Sequence, residues 1–196
     1  MKIAFIIYDR MTAMDFIGVY DGVTRLRTMN FMPDLEWEIC APTAQAADGN
    51  GLRFTPTKVA ESLADYDIVI VPGGYGSRTL ATDSAFLAWL QTCEPCRLKV
   101  SVCTGSVLLG AAGFLNGKRA TTHPSSFDEL RPYCETVVDA RIVDEGDVIT
   151  ARGVTSAIDL GLYLCEKLAG RDVRERIARQ MDYQGYQLVK LVTSDK

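Results

Sequence analysis

The sequence predicts an α/β protein: a parallel sheet sandwiched by helices, with a cysteine set on a strand-to-helix turn and a small β-hairpin arm. Three observations carry that expectation. Short runs of consecutive apolar residues recur at 2–8, 67–71 and 98–102, the pattern of strands buried on both faces. Segments with apolar residues at helical spacing alternate with them, which implies crossover connections and helices on both sides of the sheet. Asp15, Gly73-Gly74, Cys103 and His123 each fall just past a predicted strand. In an open parallel sheet ligands gather at the carboxyl ends of the strands, so these positions predict a pocket.

Each element has its own warrant. Residues 2–8 are continuous, apolar and isoleucine-rich, a buried strand. Phe16, Val19, Tyr20, Val23 and Leu26 recur at helical spacing, so 15–29 is a helix with Asp15 near its start. A second strand spans 35–41. Asp48-Gly49-Asn50-Gly51 is a turn signal, and 52–57 is expected to form the hairpin arm. The third strand, 67–71, ends in Pro72-Gly73-Gly74-Tyr75-Gly76, and 77–90 reads as helical with a break near 81–84. A strand at 98–102 leads into a helix over 103–113. Beyond Asn116-Gly117, 119–122 reads as a short strand ending at His123, and Ser125-x-x-Asp128 opens a short helix. Residues 141–145 and 148–151 form a hairpin across Gly146. A long amphipathic helix over 154–168 ends at Gly170, and a last helix covers 172–181. No repeat, low-complexity tract or linker interrupts the 196 residues, which are expected to form one domain, 1–196.

Composition narrows the function. Apolar residues make up 47%, enough for a well-buried core. With 21 basic and 25 acidic residues the net charge is -4, and no basic run appears. Nucleic acid and anionic membranes are therefore not expected partners. The apolar N-terminal stretch is short and soon broken by Asp9 and Arg10, unlike a signal peptide. A cytoplasmic location is expected, with all six cysteines as thiols.

Two cysteine patterns stand out. In the first, the run Lys99-Val-Ser-Val102 enters Cys103-Thr104-Gly105-Ser106, and an apolar helical run follows. That is the layout of a nucleophile elbow, where small residues two positions either side (Ser101 and Gly105) avoid a collision. A helix N-terminus beneath the sulfur favours the thiolate. A buried core cysteine remains the plainer alternative. In the second, Cys93-Glu-Pro-Cys96 follows a helix instead of opening one, the wrong end for thioredoxin-like chemistry. With one histidine and no second such pair, no metal site is expected.

Four segments, Ile68-Val-Ile-Val-Pro-Gly-Gly74, Val102-Cys-Thr-Gly105, Ala120-Thr-Thr-His123 and Ala151-Arg-Gly-Val-Thr-Ser-Ala-Ile-Asp159, stand in an order that resembles the DJ-1/PfpI (class I glutamine amidotransferase-like) superfamily. Thr12-Ala-Met-Asp-Phe-Ile-Gly18, Cys103-Thr104 and Arg78-Thr-Leu-Ala-Thr-Asp83 resemble its isonitrile hydratase branch. The same aspartate signature occurs in the sensor-like domains of some AraC-type regulators. The resemblance implies a flavodoxin-like fold, a homodimer, and a small-molecule substrate handled without a metal or organic cofactor.

The resemblance also implies roles. Cys103 is the nucleophile. Asp15, from the residues alone a plain N-cap, becomes its acid partner. A carboxyl beside a thiolate shares one proton with it, and with the sulfur favoured as anion the carboxyl is expected to keep that proton. Gly73 and Gly74 let backbone amides approach a reacting atom as an oxyanion hole. Thr104 is expected to give its hydroxyl to the substrate or to Asp15, or merely to occupy the first helical turn. His123 is read as a pocket-wall residue, and Asp159 as a brace. Three functions follow: isonitrile hydration, ligand sensing without turnover, and DJ-1-like cysteine redox or carbonyl-stress chemistry.

Overall fold

The computed structural model describes residues 1–185 and 191–193. In chain order the elements are β1 (Lys2–Ile6), α1 (Ala13–Thr28), β2 (Glu36–Ala41), β3 (Ala46–Ala47), β4 (Arg53–Phe54), β5 (Lys58–Val59) and β6 (Ile68–Val71). There follow α2 (Gly76–Leu80), α3 (Ser84–Gln91), β7 (Leu98–Val102), α4 (Gly105–Ala111), β8 (Arg119–Ala120), a 3-10 turn over Pro124–Ser126 and α5 (Phe127–Leu130). The chain continues through a second 3-10 turn, Arg131–Tyr133, to β9 (Thr136–Val137), β10 (Ile142–Asp144), β11 (Val148–Ala151), α6 (Ser156–Ala169), α7 (Arg171–Gln180) and β12 (Leu191–Thr193).

The eight-stranded sheet has the order β12-β10-β11-β7-β6-β1-β2-β5. From β11 to β5 every neighbouring pair is parallel. The hairpin of β10 and β11 is antiparallel, and β12 pairs parallel to β10 at the edge. β1, β6 and β7 are built of Ile, Val, Phe, Ala and Leu with Lys2, Lys99 and Ser101 the only polar residues, and their interiors are buried on both faces. Such strands need helices on each side. The chain leaves β1 toward β2 on one side and returns to β6 on the other, so the strand order reverses between β1 and β6. The crevice at the carboxyl ends there is a natural ligand position.

The placement of α1 fixes the site. Gly18 and Gly22 let α1 lie against α6: a Cβ on Gly18 would stand 2.8 Å from Ala157 Cβ, and one on Gly22 3.3 Å from Gly161 Cα. Phe16 and Tyr20 reach the other way and pack edge-on against Phe5 of β1. Helix and sheet are thus locked at both faces of α1, and Asp15 between them has little freedom.

Some expected boundaries move. The arm is β3 paired with β4 across Asp48–Gly51, shorter than 52–57; Asp48 Oδ1 accepts from the amides of Asn50 and Leu52 and ties the turn. The break between α2 and α3 is capped by Asp83, whose carboxylate accepts from the Ala85 and Phe86 amides. The helix expected from Cys103 starts at Gly105. The strand expected over 119–122 stops at Ala120 and pairs with β9 in a separate ribbon, because Thr121 instead donates its amide to Thr150 Oγ1. The cap expected at Ser125 belongs to His123, whose ring accepts from the Ser125 amide. β5 and β12, short edge strands with exposed residues, leave no alternation to read in the sequence.

A candidate cysteine and carboxylate site

Adjacent parallel strands β1, β6, β7 and β11 bring four loops together at their carboxyl ends. The loop and helix after β1 bring Asp15, the loop after β6 brings Gly73 and Gly74, the turn after β7 brings Cys103, and the loop after β11 brings Gly153. The candidate residues therefore converge because their strands are neighbours, although they lie far apart in sequence.

Cys103 has φ of 55°, the left-handed region that few side chains adopt. Its surroundings hold it there. Its amide donates to Ala151 O at 2.9 Å, and its carbonyl accepts from Thr122 Oγ1 at 2.9 Å and Ser106 Oγ at 3.0 Å. The crowding expected of an elbow is present: a Cβ on Gly105 would stand 2.3 Å from Val71 O. Such a constrained turn aims the side chain at one place. Cys103 is 6% exposed, and it opens into a pocket of about 220 Å³ with Thr12, Gly74, Thr104, His123 and Val154 on its walls.

Asp15 is fully buried. It is not a helix cap; the N-cap position is Thr12. Its Oδ2 instead accepts from the Gly73 amide at 3.1 Å. Its Oδ1 is buried with no well-aligned hydrogen bond among the described residues. A methyl group on Gly73 would lie 2.7 Å from Cys103 Cβ and 2.9 Å from Asp15 Oδ2, so thiol and carboxyl close over the same glycine.

Burial pushes the Asp15 carboxyl up to about 7, against the opposing pull of the Gly73 amide and the thiol. Burial and the Asp15 charge push the Cys103 thiol up to about 12, opposed by the Thr104 amide and hydroxyl. The two groups titrate as a pair, losing one proton near neutrality and the second only in strong base. Burial disfavours a charge on either group and each anion disfavours the other, so in the neutral range the pair holds one proton between them.

The other expected residues are close by, with altered duties. Thr104 Oγ1 accepts from the Gly74 amide at 3.0 Å and lies 2.9 Å from Ser77 Oγ; it does not pair with Asp15. The amides of Gly73 and Gly74 thus already have partners within the site, Asp15 and Thr104. The His123 ring flanks the sulfur: a Cβ on Gly153 would be 2.7 Å from Cys103 Sγ and 3.2 Å from His123 Cδ2. His123 Nδ1 accepts from the Ser125 amide at 3.3 Å and lies 2.8 Å from Ser125 Oγ. That bond assigns the ring proton to Nε2. Asp159 accepts from Tyr183 at 2.7 Å and pairs with Arg141, bracing α6 instead of the elbow.

Sequence reasoning missed several neighbours. Gly153 carried a signal, a glycine just past a strand end. Tyr8, whose hydroxyl donates to Pro72 O at 2.8 Å and holds the turn before Gly73, reads in sequence as plain core. Arg78 stood in the sequence only as the first residue of the Arg78–Asp83 segment, with no site role, and Ser126, in the 3-10 turn, offered no spacing to detect. Cys93 and Cys96 are buried at the end of α3, away from this site. Among the described residues no group of three or more His, Cys, Asp or Glu side chains is placed to hold a metal, and no helix is long and apolar enough to cross a membrane.

Comparison with known proteins shows the family and the fold. An isonitrile hydratase of Pseudomonas putida is 34% identical over 184 residues, 93% of this chain and 78% of its own length. The HTH-type transcriptional regulator CdhR of Pseudomonas aeruginosa is 28% identical over 182 residues, 90% of this chain and 53% of the regulator. The crystal structure of a THiJ/PfpI family protein from Pseudomonas syringae superposes with a TM-score of 0.85 at 29% identity, covering 93% of this chain and 75% of that one. The DJ-1/PfpI family model matches residues 1–167, and the chain belongs to that family.

Proposed function

We propose that this protein hydrates isonitriles, adding water to R–NC to give an N-substituted formamide through a thioimidate on Cys103. The observation that carries the reading is the buried pair of Asp15 and Cys103 closing over Gly73 beside a small pocket. The likeness to an isonitrile hydratase supports it.

One proton shared by the pair suits the reaction. Asp15 takes the thiol proton as sulfur bonds to the terminal carbon, and hands the same proton to that carbon, giving R–N=CH–S. Asp15, again a carboxylate, draws a proton from water as the water oxygen attacks the carbon; this proton passes to nitrogen. The hydroxyl proton of the resulting adduct then returns through Asp15 to sulfur as the C–S bond breaks and the formamide leaves. Each transfer uses one carboxyl whose pKa lies near the working pH, the condition for an efficient shuttle. The Thr104 amide beside the sulfur steadies its transient charge. Gly73 and Gly74 act by holding Asp15 and Thr104 close to the reacting carbon, and His123 offers Nε2–H to the substrate. The reaction draws on no metal or organic cofactor.

The same proposal takes residues 1–196 as one cytoplasmic domain working as a homodimer on a small molecule, without nucleic acid or membrane partners. Exposed Met14 and Ile17 on α1 suit a subunit contact. The likeness to CdhR favours a second reading, a ligand sensor that consumes nothing. Proton NMR of purified protein with an alkyl isonitrile separates the two. Formyl-proton signals that grow with wild type and not with Cys103→Ala support the enzyme. A melting-temperature rise with no formamide supports the sensor.

A further inference from the structure

Part of the wall of the pocket that holds Cys103 is made by Arg78 of α2, Tyr75, Ser125 and Ser126. Arg78 is fixed on three sides. Its Nε and Nη2 grip Glu129 of α5 at 2.8 and 3.0 Å, Nη2 also donates to Ser126 Oγ at 2.8 Å, and Nη1 donates to Gly74 O at 3.2 Å. The guanidinium lies 5.4 Å over the Tyr75 ring. A guanidinium carries five N–H donors, so among the described residues these contacts leave one uncommitted, on Nη1 of a side chain that lines the pocket.

The charge of this wall is already cancelled. Glu129 neutralises Arg78 in a forked pair, and the Asp15 and Cys103 pair, one proton between them, adds a negative charge at Gly73. An anion entering here gains one hydrogen bond and meets two carboxyl groups. A neutral acceptor gains the bond without that opposition. The volume, about 220 Å³, is below the roughly 300–1,000 Å³ of sites for drug-sized ligands, so only a compact substituent fits.

We infer that Arg78 selects the substituent of the substrate: the pocket takes small, uncharged isonitriles bearing a carbonyl oxygen for Arg78 to bond, and turns away the carboxylate of the same shape. The inference rests on the isonitrile reading and names the substrate class within it. Arg78 also becomes a specificity residue, held in register by Glu129 and Ser126.

The test compares three substrates of similar size: propyl isonitrile, isocyanoacetamide and isocyanoacetate. Wild type should show kcat/KM roughly tenfold higher for the amide than for the alkyl compound, as expected for one hydrogen bond from a charged donor, with the carboxylate poorest. Arg78→Met should erase the amide's advantage, mainly through KM. Glu129→Gln should raise the carboxylate by about tenfold relative to the amide, because Arg78 is then uncompensated. Equal rates on all three substrates, or an order unchanged in Glu129→Gln, overturns the inference and leaves the reaction standing. Melting shifts with the products N-formylglycinamide and N-formylglycine give an arm independent of turnover. If no isonitrile is hydrated yet the amide stabilises wild type more than the acid does, and Glu129→Gln narrows that gap, the reaction falls and the wall holds. Equal shifts from both products overturn the wall.

Discussion

The Gly73 amide donates to Asp15 Oδ2 at 3.1 Å, and this bond joins the carboxyl of α1 to the loop that borders the nucleophile elbow. It spans 58 positions in sequence and crosses the point where the strand order reverses. The bond leaves the carboxyl its orientation while burial raises its pKa, so Asp15 is both fixed and able to exchange a proton near neutrality.

Asp15 makes stability depend on pH. Its pKa rises from 3.8 to about 7 on folding, so the folded state binds this proton more tightly than the unfolded chain. The resulting stabilisation is complete below the unfolded value and is lost as pH rises through the folded one. The loss is on the order of 4 kcal/mol at most. Thermal melts across that window should show wild type losing stability relative to Asp15→Asn, and parallel curves contradict the assignment.

Removing the carboxylate should loosen the thiol's proton. The Asp15 charge is the second cause, after burial, of the raised Cys103 pKa. In Asp15→Asn the pH at which Cys103 becomes alkylated by iodoacetamide should fall, read by peptide mapping, although hydration should slow by about 10²–10⁴-fold. Faster alkylation with slower turnover is the combination that a merely structural Asp15 does not give. For the same reason mild peroxide should leave wild-type Cys103 largely unmodified, since the thiolate is the oxidisable form.

Gly73 tolerates no side chain. A Cβ would lie 2.5 Å from Thr104 N as well as against Cys103 and Asp15, and a backbone atom yields little. Gly73→Ala should cost about 1–3 kcal/mol in unfolding experiments and should abolish activity. Full activity at unchanged Tm removes Gly73 from its assigned place.

Tyr8 should matter more to the fold than to the chemistry. Its hydroxyl is the donor to buried Pro72 O. Tyr8→Phe should therefore lower stability by about 1–3 kcal/mol and reduce kcat only through displacement of Gly73. Denaturant unfolding beside steady-state kinetics separates the two effects.

The parallel strands were legible because each is a run of apolar residues buried on both faces. The elbow was legible because Cys103 sits between such a run and a helix, with Gly105 where a Cβ would strike Val71 O. The convergence of Asp15, Gly73, Gly74 and Cys103 followed from their positions past the ends of neighbouring strands, whereas His123 comes in from the loop after the separate β8–β9 ribbon. What escaped depends on three-dimensional proximity. The desolvation that raises both Asp15 and Cys103 is carried by no local pattern. The partners of Thr104 and the fixed ring of His123 arise from side chains meeting across loops. The pairing of Arg78 with Glu129 joins two short helices 51 residues apart. Edge strands β5 and β12 have their pairing supplied by neighbours, not by their own residues.

Intact-protein mass spectrometry on samples quenched in acid during turnover of an alkyl isonitrile tests the mechanism most directly. A transient adduct on Cys103 equal to the whole mass of the substrate is expected in wild type, forming far more slowly in Asp15→Asn and absent in Cys103→Ala. Formamide production that persists in Cys103→Ala, with no adduct in any sample, contradicts it.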